Sequence, residues 1–247
     1  MINLKNKYCL VTGCNGYIGL SITKKLKLLG AKVIGVDIKD TKKNPNLSFF
    51  FKINLEEKKD IDKLCDLLKK KIKKIDILIN NAGYVAASGI DKKNHEKFFF
   101  NEKYLNLNLT NSIYLTNSIV KFLKKSKSAS IINICSIYST LAYDYKLYKG
   151  TKMKTPLAYG VSKGGLMHYT KMLSTALAPK IRVNSISPGG IFRNQPKNFI
   201  KRYLDKTPLS RMGHEDDVSN VVIFLSSELS SYITGQNIIV DGGYSLS

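Results

Sequence analysis

The pattern of apolar and polar positions divides the chain into short apolar runs and longer amphipathic stretches. The apolar runs predict strands at residues 7–13, 31–37, 47–55, 76–81, 130–136, 181–187 and 236–240. The amphipathic stretches predict one helix that ends at residue 29 and others over residues 56–71, 101–123, 156–178 and 215–226. Strands separated by helices favour right-handed βαβ units. The sequence therefore predicts an α/β fold with a parallel sheet and helices on both of its faces.

The length of 247 residues fits one domain better than two, so we expect residues 1–247 to form a single domain. No apolar run is long enough to cross a bilayer, and the first residues lack the order of a signal peptide. We therefore expect a cytoplasmic protein without a membrane partner. The four cysteines form no paired motif, which favours reduced thiols over metal ligands.

The net charge of +22 raises the question of a nucleic-acid partner. The lysines are spread along the whole chain, and there is no basic tail or recognisable nucleic-acid-binding motif. We therefore expect no nucleic-acid partner. A strongly positive surface would still attract anionic small molecules.

A glycine-rich turn lies between the first predicted strand and helix, with Gly13, Gly16 and Gly19. These glycines permit close approach of the backbone to a pyrophosphate, which the helix N-terminus can bind through its free N–H groups. Asp37 ends the second predicted strand, where its carboxylate can accept hydrogen bonds from the adenosine ribose. The same carboxylate would repel a 2′-phosphate. The sequence thus predicts NAD rather than NADP, and Lys39 is the residue that could weaken this preference.

Three side chains form a candidate catalytic group. Tyr159 and Lys163 are four residues apart and share one face of a predicted helix, while Ser136 ends the preceding strand. A free tyrosine has a pKa of about 10, and a nearby ammonium group and a positive nicotinamide ring would favour its phenolate. We predict that Tyr159 is the acid/base that interconverts an alcohol and a ketone. Ser136 would hold the substrate oxygen, and Lys163 would also bind the nicotinamide ribose.

With these motifs in this order, the chain resembles the short-chain dehydrogenase/reductase family over essentially its whole length. Further matches are Thr12, the run Asn80-Asn81-Ala82-Gly83, Arg182-Val183-Asn184, Pro188-Gly189-Gly190-Ile191, and residues 232–236 and 241–243. The resemblance implies a Rossmann-type doubly wound parallel sheet of about seven strands and an active centre without metal. It implies cofactor contacts, beyond those already named, at Asn15, Tyr17, Ile18, Asn54, Leu55, Asn81, Ala82, Gly83, Pro188, Gly189 and Ile191.

The resemblance also implies a fourth catalytic residue, an asparagine in the long middle helix. Asn108 matches it best, and Asn106 and Asn111 are nearby alternatives. In the family this asparagine holds a water in a proton relay through the lysine. The family further implies a homo-oligomer, a dimer or homotetramer, that pairs through helices 101–123 and 156–178.

The sequence departs from the family pattern in three places. Tyr17 stands where single-domain members usually carry glycine, a spacing that resembles the extended branch of the family. Arg193 stands near the usual threonine after the Pro-Gly segment, which puts that cofactor contact in question. The stretch between Ser136 and Tyr159, called here the 137–158 segment, is longer than usual. Its surplus is aromatic and basic, with Tyr143, Asp144, Tyr145, Lys146, Tyr148, Lys149, Lys152 and Lys154.

Two interpretations of the 137–158 segment remain open: a polar loop over a hydroxylated or phosphorylated substrate, or a solvated loop. Parts of it, with residues 187–196, resemble oxidoreductases of flagellin-modification and nonulosonic-acid pathways. The sequence favours a dehydrogenase of a sugar, sugar phosphate or nucleotide sugar, with Lys149, Arg193, Lys201 and Arg202 flanking an anionic small-molecule substrate. The alternatives are a 3-oxoacyl carrier-protein reductase and a silent cofactor-binding scaffold.

Overall fold

A parallel sheet forms the centre of the computed structural model, which describes residues 2–40, 44–84 and 102–247. Its seven strands lie in the order β3-β2-β1-β4-β5-β6-β7, and every neighbouring pair is parallel. The strands are β1 (Tyr8–Thr12), β2 (Lys32–Asp37), β3 (Phe49–Lys52), β4 (Ile77–Asn80), β5 (Ala129–Ile134), β6 (Ile181–Pro188) and β7 (Asn237–Val240). The predicted doubly wound sheet is confirmed.

The helices of the described residues are α1 (Tyr17–Leu28), α2 (Lys58–Lys71), α3 (Glu102–Leu105), α4 (Asn111–Leu123), α5 (Leu157–Leu177), α6 (Lys197–Asp205) and α7 (Glu215–Leu225). The predicted helix 101–123 is not one regular helix, because a π-helical turn at Asn106–Thr110 separates α3 from α4. Its predicted first residue, Asn101, lies outside the described residues. The sequence pattern did not predict α6, a short helix that buries only Phe199 and Tyr203.

The predicted third strand is too long at both ends. It was expected over residues 47–55, whereas β3 covers only Phe49–Lys52. The chain turns away at Asn54, whose carbonyl accepts the Glu57 N–H at 3.2 Å and whose side chain accepts the Glu56 N–H at 3.1 Å. An asparagine side chain that bonds its own backbone two residues on stabilises a turn and ends the strand.

The core has two apolar layers, one on each face of the sheet. Successive residues of a strand point to opposite faces, so Leu10 packs into the layer with α2, α4 and α5, while Val11 packs into the layer with α1 and α7. Each layer anchors helices whose ends carry candidate site residues. Because both faces are covered, the strands are continuous apolar runs, as is typical of parallel sheets.

A third apolar cluster lies over the carboxyl ends of the strands. It joins Leu147 of the 137–158 segment to Phe199 and Tyr203 of α6 and to Met212 and Tyr244. Burial of these side chains fixes Leu147 against α6, while the lysines of the segment remain exposed. No helix among residues 2–40, 44–84 and 102–247 has the length and apolarity needed to cross a membrane.

Candidate active site and dinucleotide cleft

A cleft of about 880 Å³ opens at the carboxyl ends of the central strands. It brings together residues that the sequence analysis selected from distant parts of the chain. The site residues that line it are Gly13, Asn15, Gly16, Tyr17, Ile18, Gly19, Asp37, Asn54, Leu55, Asn81, Ala82, Gly83, Ser136, Tyr159, Lys163, Pro188, Gly189 and Ile191. Asn108 is fully buried behind this lining.

The glycine-rich turn needs glycine at two positions for steric reasons. Gly13 has a φ of +62°, and a Cβ there would lie 2.9 Å from the Cα of Ala82. A Cβ on Gly19 would lie 2.1 Å from the carbonyl oxygen of Gly13. Such distances are shorter than van der Waals contact, so the turn could not close as it does with alanine at either position. The result is a tight cradle in front of the N-terminus of α1.

The segment after β4 is tied to this turn by hydrogen bonds. The side chain of Asn81 donates to the carbonyl oxygens of Thr12 and Gly13 at 2.9 and 3.0 Å. The hydroxyl of Thr12 accepts the N–H groups of Asn81 and Ala82 at 3.0 and 2.9 Å. These bonds hold two neighbouring strand ends in register, which fixes the width of the cleft floor.

Asp37 lies at the end of β2 with its carboxylate oriented by backbone groups. It accepts the N–H of Asn15 and the N–H of Lys39, both at 2.9 Å. Asn15 also donates from its side chain to the Lys39 carbonyl at 3.0 Å. A carboxylate held in this way has lone pairs left for ribose hydroxyls. Lys39 also lines the cleft, so the residue that could weaken the NAD preference is present beside it.

The predicted catalytic side chains Ser136, Tyr159 and Lys163 come together at the other end of the cleft. Ser136 follows β5 and begins a short 3₁₀ turn, where its hydroxyl accepts the Tyr138 N–H at 3.2 Å. Ser136 also hydrogen-bonds Tyr159. The Lys163 ammonium donates to the carbonyl of Ile134 at 2.8 Å. The group is therefore held in place before any ligand binds.

Burial dominates the protonation of this group. It raises the pKa of Tyr159 to about 12, although the hydrogen bond from Ser136 acts in the opposite direction. Burial also lowers the pKa of Lys163. Desolvation, rather than a neighbouring positive charge, is thus the largest influence on the pKa of Tyr159. The phenol is neutral at pH 7, ready to donate a proton, and must gain positive charge nearby before it can accept one.

Asn108 is the asparagine that the structure places next to the catalytic group. It lies in the π-helical turn, and its side chain accepts the Tyr84 N–H at 2.8 Å and donates to the Tyr84 carbonyl at 3.2 Å. A Cβ on Gly83 would lie 2.8 Å from Asn108 Oδ1 and 3.4 Å from Lys163 Nζ. Both polar groups therefore border the space beside the Gly83 Cα. Turns of this kind often occur at functional sites.

The two alternative asparagines have other environments. Asn106 is exposed. Asn111 is buried and donates to the carbonyls of Leu55 and Glu56 at 2.9 and 2.8 Å, which fixes the turn after β3. Neither side chain is directed at the catalytic group, so Asn108 stays the predicted relay residue.

The 137–158 segment contributes less charge to the cleft than expected. Of its lysines only Lys154 lines the cleft, beside Tyr148, Met153 and Thr155. Lys149 and Lys201 do not line it among the described residues, and the Arg202 guanidinium donates to the carbonyls of Leu147 and Lys149 at 3.2 and 2.6 Å. The prediction that Lys149, Lys201 and Arg202 flank the substrate is therefore wrong. Arg202 instead binds backbone carbonyls of the 137–158 segment outside the cleft lining.

Three further contacts escaped the sequence analysis. The Tyr143 hydroxyl accepts the Gly160 N–H at 2.8 Å and donates to Pro156, bracing the first turn of α5. The Tyr84 hydroxyl donates to Glu56 across the cleft. The Tyr203 hydroxyl accepts the Gly190 N–H at 2.6 Å. Tyrosine at these positions has no distinctive spacing, so no sequence signal would have selected them.

The fold and this site match known proteins. A family model described as enoyl-(acyl carrier protein) reductase matches residues 15–245. The 3-oxoacyl-[acyl-carrier-protein] reductase FabG of Buchnera aphidicola subsp. Schizaphis graminum is 35% identical, with 98% of each chain covered. The chain belongs to the short-chain dehydrogenase/reductase family, and it is an NAD(P)-dependent oxidoreductase.

Two other relatives bear on the finer predictions. A short-chain dehydrogenase from Leptospira borgpetersenii, solved with bound NAD⁺, superposes with a TM-score of 0.86 at 34% identity, covering 98% of this chain and 93% of its own. The post-translational flagellin modification protein A of Campylobacter coli is 30% identical over 98% of this chain and 100% of its own. The predicted resemblance to flagellin-modification proteins therefore has a match among the relatives.

Proposed function

We propose that this protein is an NAD-linked dehydrogenase/reductase that interconverts a secondary alcohol and a ketone, with Tyr159 as the acid/base. The observation that carries the proposal is the convergence of Ser136, Tyr159 and Lys163 in one cleft with the glycine-rich turn and Asp37. The test is turnover of NAD with alcohols, and its loss in Tyr159→Phe. A silent scaffold would show no turnover with any alcohol or ketone.

The glycine-rich turn is packed tightly against its own neighbours, because a Cβ at Gly13 or Gly19 would collide with backbone atoms. At Gly16 a Cβ would approach only the Gly13 carbonyl oxygen, at 3.4 Å, so this part of the turn leaves room for a dinucleotide. The N-terminus of α1 provides N–H groups for the diphosphate, and Asp37 lies where the adenosine ribose would bind. When bound, the dinucleotide supplies the acceptor or donor of hydride.

The protein groups then divide the remaining work. For ketone reduction the neutral phenol of Tyr159 gives its proton to the substrate oxygen, and for alcohol oxidation its phenolate accepts that proton. The Ser136 hydroxyl orients the same oxygen. The Lys163 ammonium binds the ribose next to the nicotinamide, and Asn108 completes the route by which a proton reaches Lys163. All four groups are oriented by hydrogen bonds before binding, which reduces the reorganisation needed in the transition state.

The preference for NAD rests on Asp37. Two unit charges 4 Å apart interact by about 4 kcal/mol at an effective dielectric constant near 20, and less where solvent reaches them. We therefore expect kcat/KM for NADP to be lower than for NAD by a factor of roughly 10² or more. Asp37→Ala should reduce the preference for NAD over NADP, whereas Asp66→Ala, at an exposed carboxylate of α2 that does not line the cleft, should leave it unchanged. Equal kcat/KM values for NADP and NAD in the unaltered enzyme would refute the assignment.

For the substrate we propose a compact hydroxylated molecule such as a sugar or polyol. The support is a chain of hydroxyl groups beside Ser136: Tyr148 hydrogen-bonds Tyr138 at 3.0 Å and Thr155 at 2.8 Å, and all three line the cleft. Lys154 is the basic residue of the segment that could reach an anionic group. A screen of sugars, sugar phosphates and nucleotide sugars with NAD should find a substrate whose KM rises at least several-fold in Tyr148→Phe.

The second candidate is a 3-oxoacyl carrier-protein reductase. It is favoured by the 35% identity to such an enzyme and by the apolar side chains of Met153, Phe199 and Met212 in the cleft lining. Reduction of a 3-oxoacyl thioester with a kcat/KM far above that for any hydroxylated ketone would establish it. The Asp37 test of cofactor preference is independent of this choice.

We also propose a homodimer or homotetramer paired through α4 and α5. Leu166 and Leu173 of α5 are buried within the subunit, but Val161 and Met172 of the same helix are exposed to 64% and 59%. Exposed apolar side chains on a long helix are suited to a two-fold interface. Light scattering at micromolar concentration should give at least twice the subunit mass of 27.7 kDa, and Met172→Lys should lower it. A monomeric unaltered protein would contradict the proposal.

A further inference from the structure

Two of the departures from the family pattern, Tyr17 and Arg193, contact each other. The guanidinium carbon of Arg193 lies 4.1 Å from the centroid of the Tyr17 ring. Tyr17 is the first residue of α1, directly after the glycine-rich turn, and Arg193 follows β6 on the opposite side of the cleft. Both residues line the cleft. An unusual aromatic residue and an unusual cation thus meet across its mouth.

Other contacts hold Arg193 in this position. Its guanidinium donates to Glu215 at 3.0 Å, and its backbone N–H donates to the side chain of Gln195 at 2.7 Å. The Arg193 and Glu215 side chains are about a quarter exposed. A guanidinium has five N–H donors in a fork that suits phosphate. The contact with Glu215 occupies one terminal nitrogen, so donors remain that can turn toward the cleft.

The Arg193 guanidinium lies near the part of the cleft where we expect the diphosphate to bind. The N-terminus of α1 is where the resemblance and the glycine cradle place the diphosphate of the dinucleotide. Tyr17 belongs to the first turn of that helix and is 66% exposed, so its ring is available as a platform. A cation stacked on an aromatic ring at an exposed site is attracted only weakly, which biases its position while leaving it free to bind an anion.

We propose that Arg193 binds the diphosphate of the dinucleotide and that Tyr17 is its positioning residue. Arg193 then replaces the contact that the family obtains from threonine, and the tyrosine in the glycine-rich turn is the matching change. The inference depends on the proposed function only in that a dinucleotide occupies the cleft. The rival explanation is that Arg193 is a structural link between the segment after β6 and Glu215 of α7.

The test is calorimetric titration of the intact protein with ADP-ribose, which carries the diphosphate but cannot accept hydride. Arg193→Ala should raise the Kd for ADP-ribose about tenfold or more, as for loss of a charge-assisted hydrogen bond. Arg193→Lys should recover part of the affinity, since it keeps the charge without the planar fork. Lys201→Ala removes one positive charge from the exposed surface of α6 and should leave the Kd within twofold.

Substitutions of Tyr17 separate the proposal from the rival explanation, because a purely structural contact between Arg193 and Glu215 would not make the Kd for ADP-ribose depend on Tyr17. Tyr17→Ala should raise the Kd several-fold, whereas Tyr17→Phe, which keeps the ring, should not. In the Arg193→Ala background the Tyr17→Ala change should have no further effect on the Kd. Unfolding temperatures of all variants report folding separately.

A Kd within twofold of the unaltered protein in folded Arg193→Ala would overturn the proposal, and so would additive effects of the two alanine substitutions. These outcomes differ from failure of the proposed function. If no alcohol is oxidised but ADP-ribose binding still depends on Arg193 and Tyr17 together, the inference holds and the proposed chemistry does not.

Discussion

The support of the catalytic helix by Tyr143 leads to a quantitative prediction. The Tyr143 hydroxyl accepts the Gly160 N–H at 2.8 Å and donates to the Pro156 carbonyl at 2.9 Å. Both backbone groups flank Tyr159 in the first turn of α5. A Cβ on Gly160 would lie 2.7 Å from the same hydroxyl, so the hydroxyl fills the space beside this turn. Tyr143→Phe removes it while keeping the ring against Tyr138.

The expected loss of stability follows from the groups left without partners. The Pro156 carbonyl still accepts the Tyr159 N–H at 3.0 Å, whereas the Gly160 N–H loses the acceptor to which it donates, the Tyr143 hydroxyl. An unsatisfied, partly buried donor costs about 1–3 kcal/mol. In a protein of this size each kcal/mol shifts Tm by about 2–4 °C, which gives a decrease of roughly 2–12 °C.

The same change should also affect catalysis, because Tyr159 shares this turn. A small displacement of the phenol lowers kcat by about tenfold, with the Kd for ADP-ribose unchanged. Calorimetric Tm, steady-state kcat and ADP-ribose titration measure the three quantities. Tyr232→Phe, which removes a hydroxyl from a fully exposed ring, is the matched control and should change stability by less than about 0.5 kcal/mol. A Tyr143→Phe enzyme with unaltered Tm and kcat would refute this reasoning.

Three further predictions concern the same cleft and its protonation. Tyr159→Phe should lower kcat by about 10²–10⁴-fold with ADP-ribose affinity kept, and activity within threefold of the unaltered enzyme would contradict the acid/base assignment. Because burial raises the pKa of Tyr159 to about 12, alcohol oxidation should accelerate between about pH 7 and pH 10 while ketone reduction stays nearly constant; a flat oxidation profile would argue against it. Gly19→Ala should abolish ADP-ribose binding in a still folded protein, because its Cβ would lie 2.1 Å from the Gly13 carbonyl oxygen, and titration of a Gly16→Ala control, which has 3.4 Å at the same atom, should show a smaller loss.

The candidate site shows how far local sequence signals reach. Glycine between a strand and a helix, a carboxylate at a strand end, and a tyrosine and lysine on one helical face are all local patterns, and all these residues line one cleft. Topology does the rest, because the carboxyl ends of parallel strands meet at one edge of the sheet. The roles of these residues stay predictions until the variants are measured.

The chemistry of the 137–158 segment could not be predicted in the same way. Its lysines suggested a basic wall, but its fold is governed by Leu147, which is buried against α6, and by Arg202, which binds two of its carbonyls. The segment has no regular alternation of apolar and polar residues, so its sequence does not show which part of the chain it packs against. Composition alone therefore overstated the positive charge that faces the cleft.

The sequence by itself determined the seven strands, most of the helices between them, a parallel sheet and the residues at its strand ends, because hydrophobic period and turn chemistry act over a few neighbouring residues. Only the tertiary structure decided which asparagine lies near Lys163, which lysine of the 137–158 segment reaches the cleft, and that the Tyr17 ring stacks with Arg193. These are contacts between residues far apart in the chain. They depend on how loops and helix ends pack over the sheet. The pattern of apolar residues along the chain predicts which side chains are buried, but it does not show which side chains they contact.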